Sequence, residues 1–532
     1  MNPPNGSLLQ TLASAERALA DKDYRAAHAL CLEALKIDPT SARAYFLLGA
    51  LSADHANPAK AAELFDKAIA LDPSRPEPWA HRARALLALN RHDDALKSAE
   101  AAAAGDPRDA LTLDTIGVVL SRTGQHARAV PFFERAIEAG ASSANIFYNF
   151  GAALQFVGRF DAAAAAYRAA IERDPKLYRA YSALVQLKKQ TTDNHHLPAL
   201  ESLFSGARGA DEKLHLGHAL AKTHEDLGRP VESFAWLLKA KAQKRADIQY
   251  DAARDAGYFA AAREAAPRSA HGQRSGAPIF IIGLPRTGTT LLDRILSSHA
   301  DVTSAGELTA FSLLAKRMTK TQSALVLDED TLRAAARLDF AKLGADYLAF
   351  VRARIGDARR FTDKMPLNFF YAGLIHAALP EARIICLRRH PLDSVLSNFR
   401  QLFATSFAYY NYAFGLEETA RYYVQFDALM AHWRATLPPD RFMETHYETL
   451  VADIEGETRR LLQCVGLGFD PACLSFHENA APVSTASSVQ VRQPLYASSI
   501  GRWRAYGGRL RPAAEILFKA GLISAEDCAA AS

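Results

Sequence analysis

The segment from Gly283 to Thr290 has the composition of a loop that binds an anion. It follows the apolar run Ile279–Ile282, and it precedes four apolar residues at helical spacing. A strand, a glycine-bearing loop and a helix together aim backbone N–H groups and the positive end of the helix at a bound anion. We expect Arg286 to add positive charge there. The hydroxyls of Thr287, Thr289 and Thr290 can add hydrogen-bond donors, and Gly288 permits a close approach of the backbone to the anion.

The two glycines have the spacing of a nucleotide-binding P-loop, but one position differs. Thr289 stands where an ATP or GTP enzyme carries the lysine that contacts the terminal phosphates. Positive charge lies instead inside the loop, at Arg286. This difference weighs against a kinase or a GTPase.

A second basic segment has the pattern of an anion clamp. The apolar run Arg383–Leu387 predicts a buried strand, and Leu392–Arg400 has helical spacing after a proline suited to a helix start. Arg389 ends this strand and Ser397 lies eight residues later. A forked guanidinium and a hydroxyl in the following helix can bind a dianion together.

These two segments resemble the sulfotransferases that use 3′-phosphoadenosine-5′-phosphosulfate (PAPS), in particular the tyrosylprotein and bacterial branch. The resemblance covers about residues 277 to 510. It implies that the loop from Gly283 to Thr290 holds the 5′-phosphosulfate of PAPS, with Arg286 beside the transferring sulfuryl group. It also implies that Arg389 and Ser397 hold the 3′-phosphate.

The same resemblance implies roles for residues outside the two segments. Glu307, after a glycine, falls on the catalytic base that takes a proton from the acceptor hydroxyl, and Lys364 would stabilise charge on the sulfuryl group or the leaving phosphate. Ser487 falls on a serine that contacts the phosphosulfate. Tyr447 and Arg502 fall on cofactor contacts, and Arg502 replaces a lysine.

One position departs from the tyrosylprotein enzymes. They carry another arginine twelve residues after the 3′-phosphate arginine, where this chain has Gln401, with Arg400 just before it. The acceptor therefore stays open at this stage. An aromatic cluster from Tyr409 to Tyr423 could form a wall of the acceptor cleft or part of a helical core.

The elements before residue 190 form a repeat. Pro39, Pro73, Pro107 and Pro175 lie on a 34-residue comb, and Ala141 occupies the missing position. Small and aromatic residues recur in step with the comb, so paired helices must stack to bury their faces. Over about residues 8 to 188 the pattern resembles the tetratricopeptide repeat (TPR) family, whose concave surface usually binds peptides or proteins.

These patterns predict an all-α TPR solenoid followed by an α/β, P-loop-like sulfotransferase domain with a central parallel sheet. We expect the solenoid at residues 1–190, with five repeats and a partial one. A helical bridge with a degenerate repeat at Leu214–Arg245 and a linker would span 191–276, and the sulfotransferase domain would span 277–532.

Composition excludes several other classes. The 532 residues are 49% hydrophobic and 23% charged, and 63 basic minus 58 acidic residues give a charge of only +5, too thin to predict nucleic-acid binding. Five scattered cysteines predict neither a disulfide framework nor a metal site. The chain has no signal-like start and no membrane-span-length apolar run. We expect a cytoplasmic protein.

The leading hypothesis is transfer of a sulfuryl group from PAPS, as donor cosubstrate, to an acceptor hydroxyl. A protein or peptide tyrosine is the preferred acceptor, and glycans and small molecules remain alternatives. The TPR array would recruit the acceptor or a separate protein partner. Two other hypotheses are a TPR adaptor with a non-catalytic nucleotide-binding domain and a P-loop kinase with an unusual loop.

Overall fold

A computed structural model describes residues 4–265, 271–323, 325–479, 481–483, 485 and 489–531 of the chain. The chain divides into two compact units, Met1–Ala180 and Tyr181–Ser532. In the described residues, no helix has the length and apolar character needed to cross a bilayer.

The first unit consists of helical pairs, as the 34-residue comb predicts. Its helices are α1 Pro4–Ala20, α2 Tyr24–Ile37, α3 Ala42–Asp54, α4 Pro58–Leu71, α5 Pro76–Ala88, α6 His92–Ala104, α7 Ala110–Arg122, α8 His126–Glu138, α9 Ala144–Phe156 and α10 Phe160–Arg173, and α11 Tyr178–Leu187 spans the boundary.

The small residues of the comb lie where two helices approach closely. A Cβ atom added to Gly49 on α3 would lie 2.6 Å from the ring of Phe65 on α4. The same arrangement recurs at Gly117 with Phe133 and at Gly151 with Tyr167. The repeat pattern is therefore a packing pattern, in which a glycine makes room for the aromatic residue of the paired helix.

The first helices of successive pairs form one continuous face. α5 packs against α7, α7 packs against α9, and α1 and α3 make the same kind of contact, whereas the second helices contact one another less. A stack whose first helices lie closer together than its second helices curves toward the first helices. The inner face therefore belongs to α3, α5, α7, α9 and α11.

The second unit opens with helices and continues into an α/β sheet. Its helices are α12 Leu197–Gly206, α13 Ala210–Asp226, α14 Pro230–Ile248, α15 Ala252–Glu264, α16 Thr289–Ser297, α17 Ala310–Thr319, α18 Glu329–Ala335, α19 Phe340–Ile355, α20 Ala372–Ala378, α21 Pro391–Arg400, α22 Leu416–Thr436, α23 Tyr447–Ala452, α24 Ile454–Cys464, α25 Arg511–Lys519 and α26 Ala525–Ala530. Short 3₁₀ helices cover Pro366–Tyr371, Ala408–Phe414, Pro471–Glu478, Gln490–Arg492 and Arg502–Leu510.

Five parallel strands form the sheet, in the order β2-β3-β1-β4-β5. They are β1 Pro278–Ile282, β2 Val302–Ser304, β3 Arg360–Asp363, β4 Arg383–Arg388 and β5 Phe442–His446. The expected strands before the loop at Gly283 and before Arg389 are β1 and β4, and the central parallel sheet is confirmed.

Both faces of the sheet are covered by helices. On β1, Phe280 and Ile282 belong to one buried cluster, while Ile279 and Ile281 belong to another. This alternation follows from the two-residue period of a strand, and burial on both faces explains why β1 is entirely apolar.

The helical segment before the sheet is part of the larger of these two cores. The predicted helical pair at Leu214–Arg245 is present as α13 and α14. Phe234 on α14 and Phe259 on α15 belong to the same buried cluster as Phe280 on β1. The helices α13, α14 and α15 therefore pack as part of the second unit, and the predicted three-domain division of the chain stays a prediction.

Candidate active site

Each of the five strands is followed, within four positions, by a residue that the sequence predicts to be functional. Glu307 follows β2, Lys364 follows β3, Arg286 follows β1, Arg389 follows β4, and Tyr447 follows β5. Because all five strands are parallel, their carboxyl ends meet at one edge of the sheet. Ligands of open α/β sheets bind at this edge.

The loop after β1 needs its two glycines. Gly283 has φ +146°, and a Cβ there would lie 2.5 Å from the carbonyl oxygen of Leu387 on β4. Gly288 has φ +107° and is the N-cap of α16, and a Cβ there would lie 2.7 Å from the ring of Tyr447. A side chain at either position would therefore collide with its neighbour in a conformation that favours glycine, and the loop that leads into α16 would have to shift.

The hydroxyls of the loop differ in what they can offer a ligand. Thr287 donates its hydroxyl to the carbonyl oxygen of Leu284 at 2.8 Å, so this hydroxyl closes the loop on itself. Thr290 contacts Thr485 at 3.3 Å between the two hydroxyl oxygens. The sequence predicted all three threonine hydroxyls as donors, but the hydroxyl proton of Thr287 is already committed.

Arg286 is held at the tip of the loop in a strained conformation. Its φ is +67°, in the left-handed region that non-glycine residues seldom adopt. Its guanidinium donates to Gln490 at 2.9 Å. Burial lowers the pKa of Arg286 to about 10, and the charges of Arg389 and Arg502 contribute in the same direction. Three predicted ligands of the donor therefore share one electrostatic neighbourhood, and Arg286 stays charged at neutral pH.

Glu307 and Lys364 form an ion pair. The Lys364 ammonium donates to the Glu307 carboxylate, and the backbone N–H of Lys364 donates to the carbonyl oxygen of Gly306 at 2.9 Å. Only 1% of the Lys364 side chain is exposed, against 35% for Glu307. The lysine is thus fixed inside the protein, and it holds the carboxylate at the surface of the cleft.

Two further carboxylic acids lie in the protein beside this pair. Asp293 on α16 accepts hydrogen bonds from Ser304 at 3.0 Å and from Thr362 at 2.5 Å. Asp363, which ends β3, accepts a hydrogen bond from Tyr347 at 2.7 Å. Burial raises the pKa of Asp293, and burial raises the pKa of Asp363 to about 7.

The predicted anion clamp is brought together. The Arg389 guanidinium donates to Ser397 at 3.3 Å and to the backbone carbonyl of Ser499, and it lies over the ring of Tyr447 at 5.0 Å. Asp393, one turn into α21, lies 3.6 Å from Arg389 and accepts the backbone N–H groups of Gly501 and Trp503. Asp393 therefore ties the C-terminal segment to the arginine.

Arg389 has binding capacity left over. Its side chain is 7% exposed, and its Nε finds no hydrogen-bond partner in the described part of the chain. A buried N–H without a partner costs about 1–3 kcal/mol, and an anion would remove that cost. This atom, the loop N–H groups and the clustered arginines fit a ligand with two separate phosphate-like groups.

Two of the remaining predicted ligands, Tyr447 and Arg502, lie in the described part of the chain, and the third does not. Tyr447 is buried between the loop and Arg389, and burial raises its pKa. Arg502 lies 3.5 Å from the hydroxyl of Ser499. Ser487 lies outside the described residues.

A patch of aromatic residues, Phe403, Phe407, Tyr409 and Tyr410, lies near Glu307. Phe403 stacks on Tyr410 and Phe407 stacks on Tyr409, with ring centroids 4.4 and 5.3 Å apart. Burial raises the pKa of both tyrosines, and the charge of Glu307 adds to the effect. Phe403, Tyr409 and Tyr410 are half-buried against the core and Phe407 is exposed, whereas Tyr412, Tyr422 and Tyr423 are core residues. The aromatic cluster in the sequence therefore divides into a wall and a core.

Sequence reasoning missed Asp393, Ser499 and Glu225. Asp393 had a local signal, since it lies four residues after Arg389, in the first turn of the helix that follows it. Ser499 contributes a backbone carbonyl, which any residue type could supply. Glu225 approaches from a helix 277 positions before Arg502. Only the folded chain brings these groups together.

Comparison with known families gives two kinds of match. Residues 278–471 match the model of the sulfotransferase family. Residues 12–76 and 81–144 match one tetratricopeptide repeat model, and residues 144–177 match a second one. The matched ranges correspond to the α/β sheet region and to the helical pairs of the first unit.

Individual relatives cover parts of the chain. It is 31% identical over 354 residues to an uncharacterized protein of Aquifex aeolicus, covering 63% of this chain and 45% of the relative. It is 25% identical over 244 residues to the protein-tyrosine sulfotransferase of Drosophila melanogaster, covering 42% and 46%. The chain therefore spans less than half the length of these curated relatives. A solved sulfotransferase domain from the curacin biosynthetic pathway is 17% identical, with a TM-score of 0.35 over 47% of this chain and 99% of that chain.

Proposed function

We propose that this chain transfers the sulfuryl group of PAPS to an acceptor hydroxyl. It joins tetratricopeptide repeats to a C-terminal domain of the sulfotransferase family. The observation that carries the proposal is the carboxyl edge of the sheet, where Glu307, Lys364, Arg286, Arg389 and Tyr447 follow the five strands. PAPS supplies the activated sulfuryl group, and the protein supplies binding, orientation and one proton acceptor.

The donor would bind through its two phosphate-bearing ends. The N–H groups from Gly288 into α16, with Thr289 and Thr290, face the 5′ end, and Arg286 supplies charge there. Arg389 and Ser397 take the 3′-phosphate, for which the unpartnered Nε of Arg389 provides a further donor. Ser487 remains a proposed phosphosulfate contact on the resemblance of its segment alone.

Glu307 would act as the base. As the acceptor oxygen attacks sulfur and the bond to the leaving phosphate breaks, the acceptor proton passes to the carboxylate of Glu307. Lys364 and Arg286 then neutralise charge on the transferring group and the leaving phosphate. The ion pair between Lys364 and Glu307 supports this assignment because it fixes both groups before the substrates bind.

We infer a phenolic acceptor, namely tyrosine of a protein or peptide. The aromatic wall of Phe403, Phe407, Tyr409 and Tyr410 lies within electrostatic reach of Glu307 and offers ring surfaces on which a phenol can stack. Glycans and small molecules are the alternative acceptor classes that the test below includes. The buried thiols of Cys31, Cys386 and Cys473, which form no disulfide, favour a cytoplasmic location.

The inner face of the first unit would recruit the acceptor protein or a separate partner. Arg84, Arg122 and Arg179 are exposed on α5, α7 and α11, and Arg179 lies 5.4 Å from the ring of Tyr148 on α9. The charge of Arg84 acts on the carboxyl of Asp114 on α7, whereas Arg122 and Arg179 have no salt bridge to an acidic side chain in the described residues. We call these three arginines and Tyr148 the arginine groove, and its charge favours an acidic segment.

The test supplies the full chain with sulfur-labelled PAPS and four acceptors: a tyrosine peptide, the same peptide with phenylalanine, a hexose oligomer and a small phenol. We expect label on the tyrosine peptide and the phenol, and none on the phenylalanine peptide. Label on the oligomer alone would contradict the phenolic acceptor. Binding of 3′-phosphoadenosine 5′-phosphate without transfer to any acceptor or lysate protein would favour the adaptor hypothesis.

A further inference from the structure

The helical hairpin α13–α14 contributes a carboxylate to the edge of the donor site. Glu225, near the end of α13, forms an ion pair with Arg400 at the end of α21. Its other carboxylate oxygen lies 3.5 Å from Arg502 in the C-terminal segment. One acidic side chain therefore bridges two arginines that come from two different elements of the sulfotransferase domain.

The two arginines would repel each other without that bridge. Burial lowers the pKa of Arg400, and the charge of Arg502 lowers it further. Side-chain exposure is small for Arg400 and Glu225, so solvent screens these charges only in part. The carboxylate between them offsets the repulsion and gives Arg502 a fixed partner.

Arg502 is connected through Ser499 to the anion clamp. A second nitrogen of Arg502 lies 3.5 Å from the Ser499 hydroxyl, while the Ser499 carbonyl accepts from Arg389. The ring of Tyr447 lies under Arg389, and the charges of both Arg389 and Arg502 act to lower the pKa of its phenol, which burial raises. The position of Arg502 therefore affects the site where Arg389 would hold the 3′-phosphate.

The end of α13 is itself anchored, so Glu225 does not act from a loose helix end. Asp226 accepts the backbone N–H of Gln190 at 2.9 Å and forms an ion pair with Lys222. Thr223 donates its hydroxyl to the carbonyl oxygen of Ala219 at 2.9 Å. These contacts fix the backbone from which Glu225 reaches the two arginines.

We propose that Glu225 is a positioning residue for the donor site, which holds Arg502 over the 3′-phosphate side of the ligand. The inference rests on the proposed function, because it names a further residue for the same donor. It extends that site to a helix that precedes the sheet and lies outside the range matched by the sulfotransferase family model. It also gives Arg400 a role other than ligand binding, as the second partner of Glu225.

The test compares two ligands that differ by one phosphate. Calorimetry on the full chain measures the Kd of 3′-phosphoadenosine 5′-phosphate and of adenosine 5′-phosphate. For Glu225→Gln we expect the first Kd to rise about tenfold and the second to change by about twofold or less, because only the first ligand reaches Arg502. Glu232→Gln, an exposed glutamate of the same hairpin, should change neither Kd.

A double-mutant cycle tests whether the effect passes through Arg502. Arg502→Gln alone should weaken the 3′-phosphorylated ligand, and adding Glu225→Gln should cost little more, since the group that Glu225 positions is already gone. Full additivity would overturn the inference. Because Arg502 is about one-third exposed, its variant tests the inference even if Glu225→Gln fails to fold, and an unchanged Kd for Arg502→Gln would overturn it.

The outcomes also separate this inference from the proposed function. If the unmodified chain binds 3′-phosphoadenosine 5′-phosphate but Glu225→Gln binds it equally well, the positioning role is wrong and the donor assignment stands. Equal weakening of both ligands by Glu225→Gln would mean a structural role only. If the unmodified chain does not bind the ligand at all, the proposed function fails and the inference fails with it.

Discussion

Glu307 is a carboxylate at the sheet edge that is both fixed and accessible. Lys364 holds it from inside the protein, and about a third of its side chain remains exposed to the cleft. A base needs both properties, since it must meet the acceptor proton in a defined geometry. This combination separates Glu307 from Asp293 and Asp363, which are fully enclosed.

Glu307→Gln should reduce turnover by about a hundredfold or more while leaving donor binding nearly unchanged. The glutamine keeps an oxygen for Lys364 but cannot accept a proton. Labelled-sulfate transfer gives turnover, and calorimetry with 3′-phosphoadenosine 5′-phosphate gives binding. Glu329→Gln, on α18, is the matched control, and unchanged turnover in Glu307→Gln would remove this residue from the mechanism.

Asp363 should make the second unit less stable as the pH rises. Burial raises its pKa to about 7 in the folded state, against about 3.9 for an unfolded chain, so the folded state holds the proton more tightly. Its contribution is fully present below the unfolded value, declines as pH rises, and is lost above about 7. Across this pH range the contribution of Asp363 to the free energy of unfolding should fall by on the order of a few kcal/mol.

Asp363→Asn should therefore flatten the decline in unfolding free energy between about pH 4 and pH 7. The amide oxygen still accepts from Tyr347, so the hydrogen bond survives the substitution. Urea titrations that follow the fluorescence of buried Trp433 and Trp503 report on this unit. Asp357→Asn, an exposed aspartate, should leave the pH dependence as it is, and equal slopes in Asp363→Asn and the unmodified chain would contradict the prediction.

At the scale of elements, the loop between β1 and α16 depends on Gly288, whose backbone lies close to the ring of Tyr447. Gly288→Ala should destabilise the second unit by about 1–3 kcal/mol and weaken donor binding, since the Cβ meets the Tyr447 ring and φ is +107°. Thermal unfolding and calorimetry measure the two effects. Gly206→Ala has open space and an ordinary φ, so it should be neutral, and a neutral Gly288→Ala would show that the loop tolerates a side chain.

Elements were predictable where the signal is local. The 34-residue comb predicts helix pairs because each repeat must reserve space for an aromatic residue, as Gly49 does for Phe65. The strand–loop–helix at Gly283 and the eight-residue spacing of Arg389 and Ser397 are local as well. Glu225 was not predictable, because its partners lie 175 and 277 residues further along the chain, and their approach depends on the packing of α13 against the sheet domain.

At the scale of the whole molecule, the balance of charge differs from one surface to another, and the net charge of the chain does not show this difference. The second helices of the first unit neutralise their arginines along the stack: Arg128 pairs with Glu100, and the Arg159 guanidinium pairs with Glu134. On the inner face, by contrast, Arg122 and Arg179 form no salt bridge with an acidic side chain in the part of the chain that the structure describes. A net charge of +5 over 532 residues thus conceals a local positive surface in the first unit and a positive donor site in the second.

Reversing charge in the groove should separate recruitment from chemistry. Arg122→Glu with Arg179→Glu should raise the KM for an acidic protein acceptor severalfold or more, because two cations become two anions on the surface that would hold it. Turnover of a small phenol should stay the same, since that acceptor needs only the sheet edge. The matched control, Arg128→Glu with Arg159→Glu, makes the same change of charge on arginines already paired with acids, and it should leave the kinetics with both acceptors unchanged.

An equal loss of turnover for protein and phenol would mean that the first unit supports catalysis directly. An unchanged KM for the acidic protein would mean that the groove does not recruit the acceptor. In that case added salt would change this KM equally for the unmodified chain and for the variant.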